Sequence, residues 1–157
     1  MKPLLAIGLG NPLMGDDGVG CMVAERLVND PRLPDSVEVI SGGSDLLRYC
    51  KQMEGRSRVV VIDAIEGDTE PGIVLTFEGA CSGLSERQDH VHQLSAVQAI
   101  RLLGLLNSIP CTLLGISVSS AAIGSGLSPA VDAQMPAILD SVLQELGRRL
   151  PDNGRRP

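Results

Sequence analysis

The sequence predicts a single-domain α/β protein built on a mixed five-stranded sheet. Three observations carry that expectation. Short apolar runs at residues 4–9, 37–40, 59–62, 73–77 and 112–118 alternate with segments whose apolar residues recur at helical spacing. The connection Glu66-Gly67-Asp68-Thr69-Glu70-Pro71-Gly72 is too short and too rich in turn residues to hold a crossover helix, so one strand must run against the others. A chain of 157 residues with 43% hydrophobic content fills one core and leaves no room for two.

Taken in order, residues 4–9 form an apolar run bounded by glycine, too short for a helix, and read as a strand buried on both faces. Val19, Met22, Val23, Leu27 and Val28 then give a first helix, with Asp16 and Asp17 placed ahead of it as capping and dipole-favourable residues. Residues 37–40 are a second strand ending in Gly42-Gly43, and Ser44 opens a helix through Leu46, Leu47, Cys50 and Met53. Residues 59–62 are the third strand, with Asp63 at its carboxyl end. The fourth, residues 73–77, is expected to pair with the third as an antiparallel hairpin.

Residues 79–89 read as polar loop, and His92 stands at the threshold of a helix carrying Leu94, Val97, Ile100, Leu103 and Leu106. After the last strand, residues 119–126 form a loop of small residues. Ser128-Pro129 opens the final helix with an N-cap and a Pro at its first position. Pro136 should bend that helix early, and Val131, Met135, Ile138, Leu139, Val142, Leu146 and Leu150 form its buried stripe. The domain spans residues 1–150, and 151–157 are a polar tail expected to be disordered.

Composition excludes several functions. A net charge of −6 opposes a phosphate backbone, and with no Trp, one Tyr and one Phe there is little to stack on bases. Nucleic acid is therefore not an expected partner. Nor is a membrane, because no run approaches the roughly 18 apolar residues of a spanning helix. The apolar start of the chain runs straight into an acidic turn without a small-residue cleavage site, which points to the cytoplasm. Cys21, Cys50, Cys81 and Cys111 stand far apart without a Cys-x-x-Cys pair and read as mostly reduced core residues.

Few residues are left to carry chemistry. Asp16 and Asp17 end the glycine-rich turn Gly8-Leu9-Gly10-Asn11-Pro12-Leu13-Met14-Gly15, a setting that suits a cation rather than a phosphate. In open α/β sheets ligands bind beyond the carboxyl ends of strands, where neighbouring connections leave for opposite faces. If the first strand lies between the second and third, Asp17 and Asp63 become neighbours at such a point. An imidazole from His92 would complete a carboxylate, carboxylate, imidazole set, suited to a borderline divalent ion such as nickel or zinc and leaving positions open for substrate. Each residue also has a plainer reading: Asp16 as a helix cap, Asp63 as a turn cap, His92 as a helix-start residue and His90 as a solvated side chain.

Other functional classes fit less well. The dinucleotide fingerprint fails because the third glycine comes late and Ser41 occupies the end of the second strand. A P-loop fails because the only lysines are Lys2 and Lys51, and no Gly-x-Ser-x-Gly elbow surrounds any serine; Ser125 sits only in Gly124-Ser125-Gly126. A magnesium-dependent phosphoacceptor receiver is the strongest rival, since it also groups an acidic pair with a strand-end Asp. It lacks its Lys after the fifth strand and its helix between strands three and four. A non-catalytic nickel chaperone is a third possibility.

The segments Gly8-Leu9-Gly10-Asn11, Gly15-Asp16-Asp17-Gly18-Val19-Gly20, Gly42-Gly43, Val61-Ile62-Asp63-Ala64, His92-Gln93-Leu94, Gly115-Ile116 and Gly126-Leu127-Ser128, in this order, resemble the nickel–iron hydrogenase maturation endopeptidases. The resemblance spans nearly the whole chain. It implies a three-layer sandwich, a twisted mixed five-stranded sheet with helices on both faces and one antiparallel strand. It implies nickel ligation by Asp17, Asp63 and His92, with the nickel carried by the substrate. That substrate is the precursor of a hydrogenase large subunit, which loses a short C-terminal extension once nickel is loaded. Asp17 or Asp63 would serve as hydrolytic base. The chain departs from the family pattern at Ser41, where Asp is frequent, at Val118, where Pro is frequent, and at His90, an additional imidazole.

Overall fold

The computed structural model describes residues 1–67, 69–79, 95–106, 109–119, 124 and 126–150. The elements in chain order are β1 (Leu4–Leu9), α1 (Val19–Val28), β2 (Val37–Gly43), α2 (Cys50–Met53), β3 (Arg58–Glu66), β4 (Val74–Glu78), α3 (Ala96–Leu106), β5 (Cys111–Val118), α4 (Pro129–Ala133) and α5 (Met135–Arg148). Short 3₁₀ turns at Gly15–Gly18 and Leu46–Tyr49 precede α1 and α2.

The strands lie in the order β2-β1-β3-β5-β4. The first four of these are mutually parallel, and β4 runs antiparallel to β5. Successive side chains of a strand point to opposite faces, so β1 serves two cores at once. Leu4 and Ala6 pack on one face with Val19, Val23 and Leu27 of α1 and with Val131, Met135, Ile138, Val142 and Leu146 of α4 and α5. Leu5 and Ile7 pack on the other with Leu46, Met53, Ala99, Ile100 and Leu103. This three-layer arrangement is why the parallel strands read as continuous apolar runs rather than alternating ones.

The expected hairpin between β3 and β4 does not form. Both edges of β3 are already taken, by β1 and by β5, and β4 pairs with β5 from Val74 opposite Ile116 to Glu78 opposite Thr112. The connection from β3 passes across the carboxyl end of β5, where Gly72 N–H donates to Ser117 O at 2.8 Å and Ser117 Oγ donates to Thr69 O at 2.9 Å. Strand β4 still runs opposite to β3, as the short connection demanded, but with β5 slotted between them.

Local chemistry explains the element ends. Ser128 caps α4, its Oγ accepting from Val131 N–H, with Pro129 in the first turn. Pro136 lies in the first turn of α5, and the predicted bend is a break at Gln134 between α4 and α5. The five fully buried residues Val131, Met135, Ile138, Val142 and Leu146 form the stripe that docks this pair, each burial worth about 1.5–3 kcal/mol. Two helix starts differ from the expected ones. Asp45, not Ser44, starts the second helical segment, accepting from Leu47 N–H. Helix α3 begins at Ala96, where Ser95 and Gln98 exchange side-chain to backbone hydrogen bonds in a capping box. His92, Leu94, most of the expected loops at 79–89 and 119–126, and the tail 151–157 lie outside the described residues.

Candidate active site

The glycine-rich turn is built so that the chain can double back on itself directly after β1. Gly10 has φ +132°, and a Cβ there would lie 1.9 Å from the carbonyl oxygen of Asp17, so no other residue fits. Asn11 Oδ1 then accepts from Leu13 N–H at 3.0 Å, and Met14 N–H donates to Asn11 O at 2.9 Å. Asp17 Oδ2 accepts from Asn11 N–H at 2.9 Å, which fixes this carboxylate in the turn while the residue stays partly exposed. Helix α1 follows immediately and sits hard against the strand ends. A Cβ on Gly20 would be 2.2 Å from Ile62 O and 2.3 Å from Leu9 O.

Asp63 lies inside β3 rather than at its end, at the point where the pairing changes. The register with β1 finishes at Ile62 opposite Gly8, whereas pairing with β5 continues to Glu66 opposite Val118. Asp63 is thus the first residue of β3 beyond β1, beside the turn that carries Asp17, and that turn packs against β3. Its Oδ1 accepts from Ala64 N–H at 2.9 Å. The residue keeps some surface, but the carboxyl itself is enclosed, and its pKa is pushed up to about 7. Burial is the main cause; the Ala64 N–H works the other way, and the negative charge of Asp17 adds to the rise.

Two further residues frame this pair. Cys21 lies buried beneath the turn, its Sγ–H donating to Gly10 O at 3.3 Å and Gly8 O at 3.5 Å. Burial raises its pKa, so the position holds a neutral thiol and not a thiolate nucleophile. Asp16 is 6% exposed and does not cap α1, whose N-cap is Gly18 without a side-chain cap. Its Oδ1 instead accepts from Ser128 N–H at 2.6 Å, across 112 residues of sequence.

The structure therefore brings Asp17 and Asp63 together. His90 and His92 lie outside the described residues, and among the described residues no group of three His, Cys, Asp or Glu side chains forms a metal cluster. Sequence reasoning missed the bond from Asp16 to Ser128, for which no local signal exists. It also missed a charged groove at the opposite end of the sheet, lined by Arg58, Glu78, Glu145, Arg148 and Arg149. The Arg148-Arg149 doublet, with Glu145 one helical turn before it, was the available signal. Among the described residues no helix is long and apolar enough to cross a membrane.

Fold and site together define a class: a parallel-dominated α/β protein with two carboxylates meeting where the connections of β1 and β3 diverge. Comparison with known proteins narrows it. A family model described as hydrogenase maturation protease (HycI) matches residues 21–145. The hydrogenase 2 maturation protease of Escherichia coli K12 is 29% identical over 147 residues, covering 91% of this chain and 90% of its own. The hydrogenase maturating endopeptidase HybD of E. coli superposes with a TM-score of 0.72 at 25% identity, covering 92% of each chain. The [NiFe] hydrogenase maturation protease HybD of Thermococcus kodakarensis gives 0.71 at 27% identity, covering 91% of this chain and 98% of its own. The chain belongs to the hydrogenase maturation protease family and is a peptidase.

Proposed function

We propose that this protein is the endopeptidase that removes a C-terminal extension from the nickel-loaded precursor of a nickel–iron hydrogenase large subunit. The observation that carries the reading is the pairing of Asp17 and Asp63 at the switch point of the sheet in a member of this family. In this reading Asp17, Asp63 and His92 recognise the nickel that the precursor carries, so that only a metallated substrate is seated for cleavage. Oxygen and nitrogen donors suit nickel, and a divalent cation between two carboxylates removes the repulsion they otherwise exert on each other. Asp17 or Asp63 takes the proton from the attacking water as it adds to the scissile carbonyl, and the substrate's metal polarises that carbonyl. The protein acts in the cytoplasm as one domain over residues 1–150.

The receiver alternative finds no support in the observed strands: β5 ends at Val118 without a Lys, and β3 runs into β4 without an intervening helix. The decisive experiment is the mass of a co-expressed hydrogenase large subunit, with nickel supplied or withheld, beside the wild-type protein and His92→Ala. The expected result is loss of a C-terminal peptide only with nickel and intact His92. An unchanged mass with a cognate, nickel-loaded precursor would overturn the reading in favour of a nickel chaperone, and phosphate uptake at Asp63 from a small phosphodonor with magnesium would favour the receiver.

A further inference from the structure

The two acids of the turn are adjacent in sequence but face different tasks. Asp17 is bonded within its own turn, through Asn11 N–H. Asp16 is buried and reaches out of the turn to the start of α4. Among the described residues that bond is one of three that join the turn after β1 to the segment after β5. Gly15 N–H donates to Gly124 O at 2.7 Å and Gly124 N–H donates to Leu13 O at 3.4 Å, which together make an isolated parallel bridge between Met14 and Gly124. Strands β1 and β5 are the two neighbours of β3, so these contacts tie together the connections on either side of the strand that bears Asp63.

We propose that Asp16 is a positioning residue: its carboxylate, by holding Ser128 N–H, fixes the turn so that Asp17 stays beside Asp63. The inference deepens the functional reading given above and rests on it for its link to cleavage. Gly124 contributes backbone contacts only, from a φ of +153° that suits glycine. Among the described residues the Asp16 bond is the side-chain tie of the three, and a carboxylate acceptor makes such a bond about twice as strong as a neutral one. Removing the carboxylate leaves Ser128 N–H without this acceptor and releases the turn at the residue next to Asp17. Removing the N–H instead should have the same consequence. Ser128 allows that substitution, because its φ of −60° and ψ of 152° are those of proline.

The test measures cleavage of a purified, nickel-loaded precursor by wild-type enzyme, Asp17→Ala, Asp16→Ala, Asp16→Asn, Ser128→Pro, Ser128→Ala and the Asp16→Ala/Ser128→Pro double variant. Losing a charge-assisted bond corresponds to a fall in kcat/KM of about 10- to 100-fold for Asp16→Ala and for Ser128→Pro. The double variant should be no worse than either single one. Asp16→Asn keeps a neutral acceptor and should recover part of the loss, and Ser128→Ala, which retains the N–H, should stay near wild type. Amide hydrogen exchange on the metal-free protein supplies a second readout. Asn11 N–H, the donor to Asp17, should exchange faster in Asp16→Ala while the amides of α5 stay protected.

Wild-type cleavage by Asp16→Ala beside an inactive Asp17→Ala would overturn the inference. So would exchange that quickens equally throughout the sheet, because that marks a general loss of stability. Normal cleavage by Asp17→Ala would instead overturn the parent reading, and the exchange data would still decide whether Asp16 holds the turn.

Discussion

At the amino end of β3, Arg58 meets a ring of partners; five residues further along the same strand, Asp63 stands in the field of another carboxylate, Asp17. Arg58 Nη1 donates to Thr112 Oγ1 at 3.1 Å and pairs with Glu78 at 3.3 Å. Thr112 Oγ1 donates to Glu78 at 2.8 Å, and Arg149 bridges Glu78 and Glu145. Arg58, Glu78, Glu145 and Arg149 line an open groove of about 610 Å³, and each of these charges has an opposite beside it. Asp63, by contrast, has among the described residues the Ala64 N–H to hold its charge, while the charge of Asp17 opposes its ionisation. Among the described residues no ion pair involves either Asp17 or Asp63. One end of the sheet is neutralised from within. At the other, two carboxylates repel each other, and on the proposed reading a cation carried by the substrate would relieve that repulsion.

The sharpest way to break this contrast is Asp63→Asn, which keeps the shape and removes the charge. Cleavage of the precursor should fall by about a thousandfold or more, the scale of losing a general base or a metal-recognising anion. Mass spectrometry of the large subunit measures it, and near-normal processing would end the assignment.

The same variant should make the metal-free protein more stable. Burial, with the charge of Asp17, pushes the pKa of the Asp63 carboxyl in the folded protein up to about 7, from an ordinary value of 3.8. Between those values the folded state binds more protons than the unfolded one, so stability falls as pH rises from about 4 to 7. Asn carries no such penalty. A shift of this size corresponds to a gain on the order of 2–4 kcal/mol at pH 8 and none at pH 4, read from urea midpoints at the two pH values. Equal stabilities of wild type and variant at pH 8 would show that the site is not electrostatically strained.

Arg149→Met probes the satisfied end. The Arg149 side chain is 11% exposed and that of Glu145 16%, so cutting their tie exposes a half-buried acid to partial loss of compensation, although Arg148 also pairs with Glu145 at 2.8 Å. The expected cost is about 1–2 kcal/mol in urea unfolding, with precursor cleavage unchanged. A large loss of cleavage in a folded Arg149→Met protein would place the groove in substrate handling and dissolve the division between the two ends.

How far these regions could be read from sequence follows the range of their interactions. The strands were legible because a two-sided core demands uninterrupted apolar residues, and the α5 stripe because Ile138, Val142 and Leu146 keep helical spacing. The nearness of Asp17 and Asp63 was legible too, since a single assumption about strand order places both at one switch point. What was hidden depends on distant chain. The partner of β4 is β5, which enters more than 30 residues later and displaces the expected hairpin. The partner of Asp16 is an amide 112 residues away, so its local context suggested only a helix cap. The ring around Arg58 draws on β3, β4, β5 and α5, and no window of sequence contains it.

The smallest expected effect concerns the acid limb of stability. Burial alone would raise the pKa of Glu78, but hydrogen bonds from Arg149 and Thr112, with the charges of Arg149 and Arg58, hold it below the usual range. A carboxylate lowered in the folded state contributes stability that is fully present above its unfolded value of 4.5 and is lost as pH falls through the folded value. This slope is opposite in sign to that of Asp63. Glu78→Gln should therefore flatten the loss of stability below pH 4.5 and leave the fall between pH 4 and 7 intact, whereas Asp63→Asn should do the reverse. Unfolding curves at closely spaced pH values separate the two limbs. If Glu78→Gln altered the upper limb instead, the two ends of the sheet would be coupled through β3, and treating them as independent would be wrong.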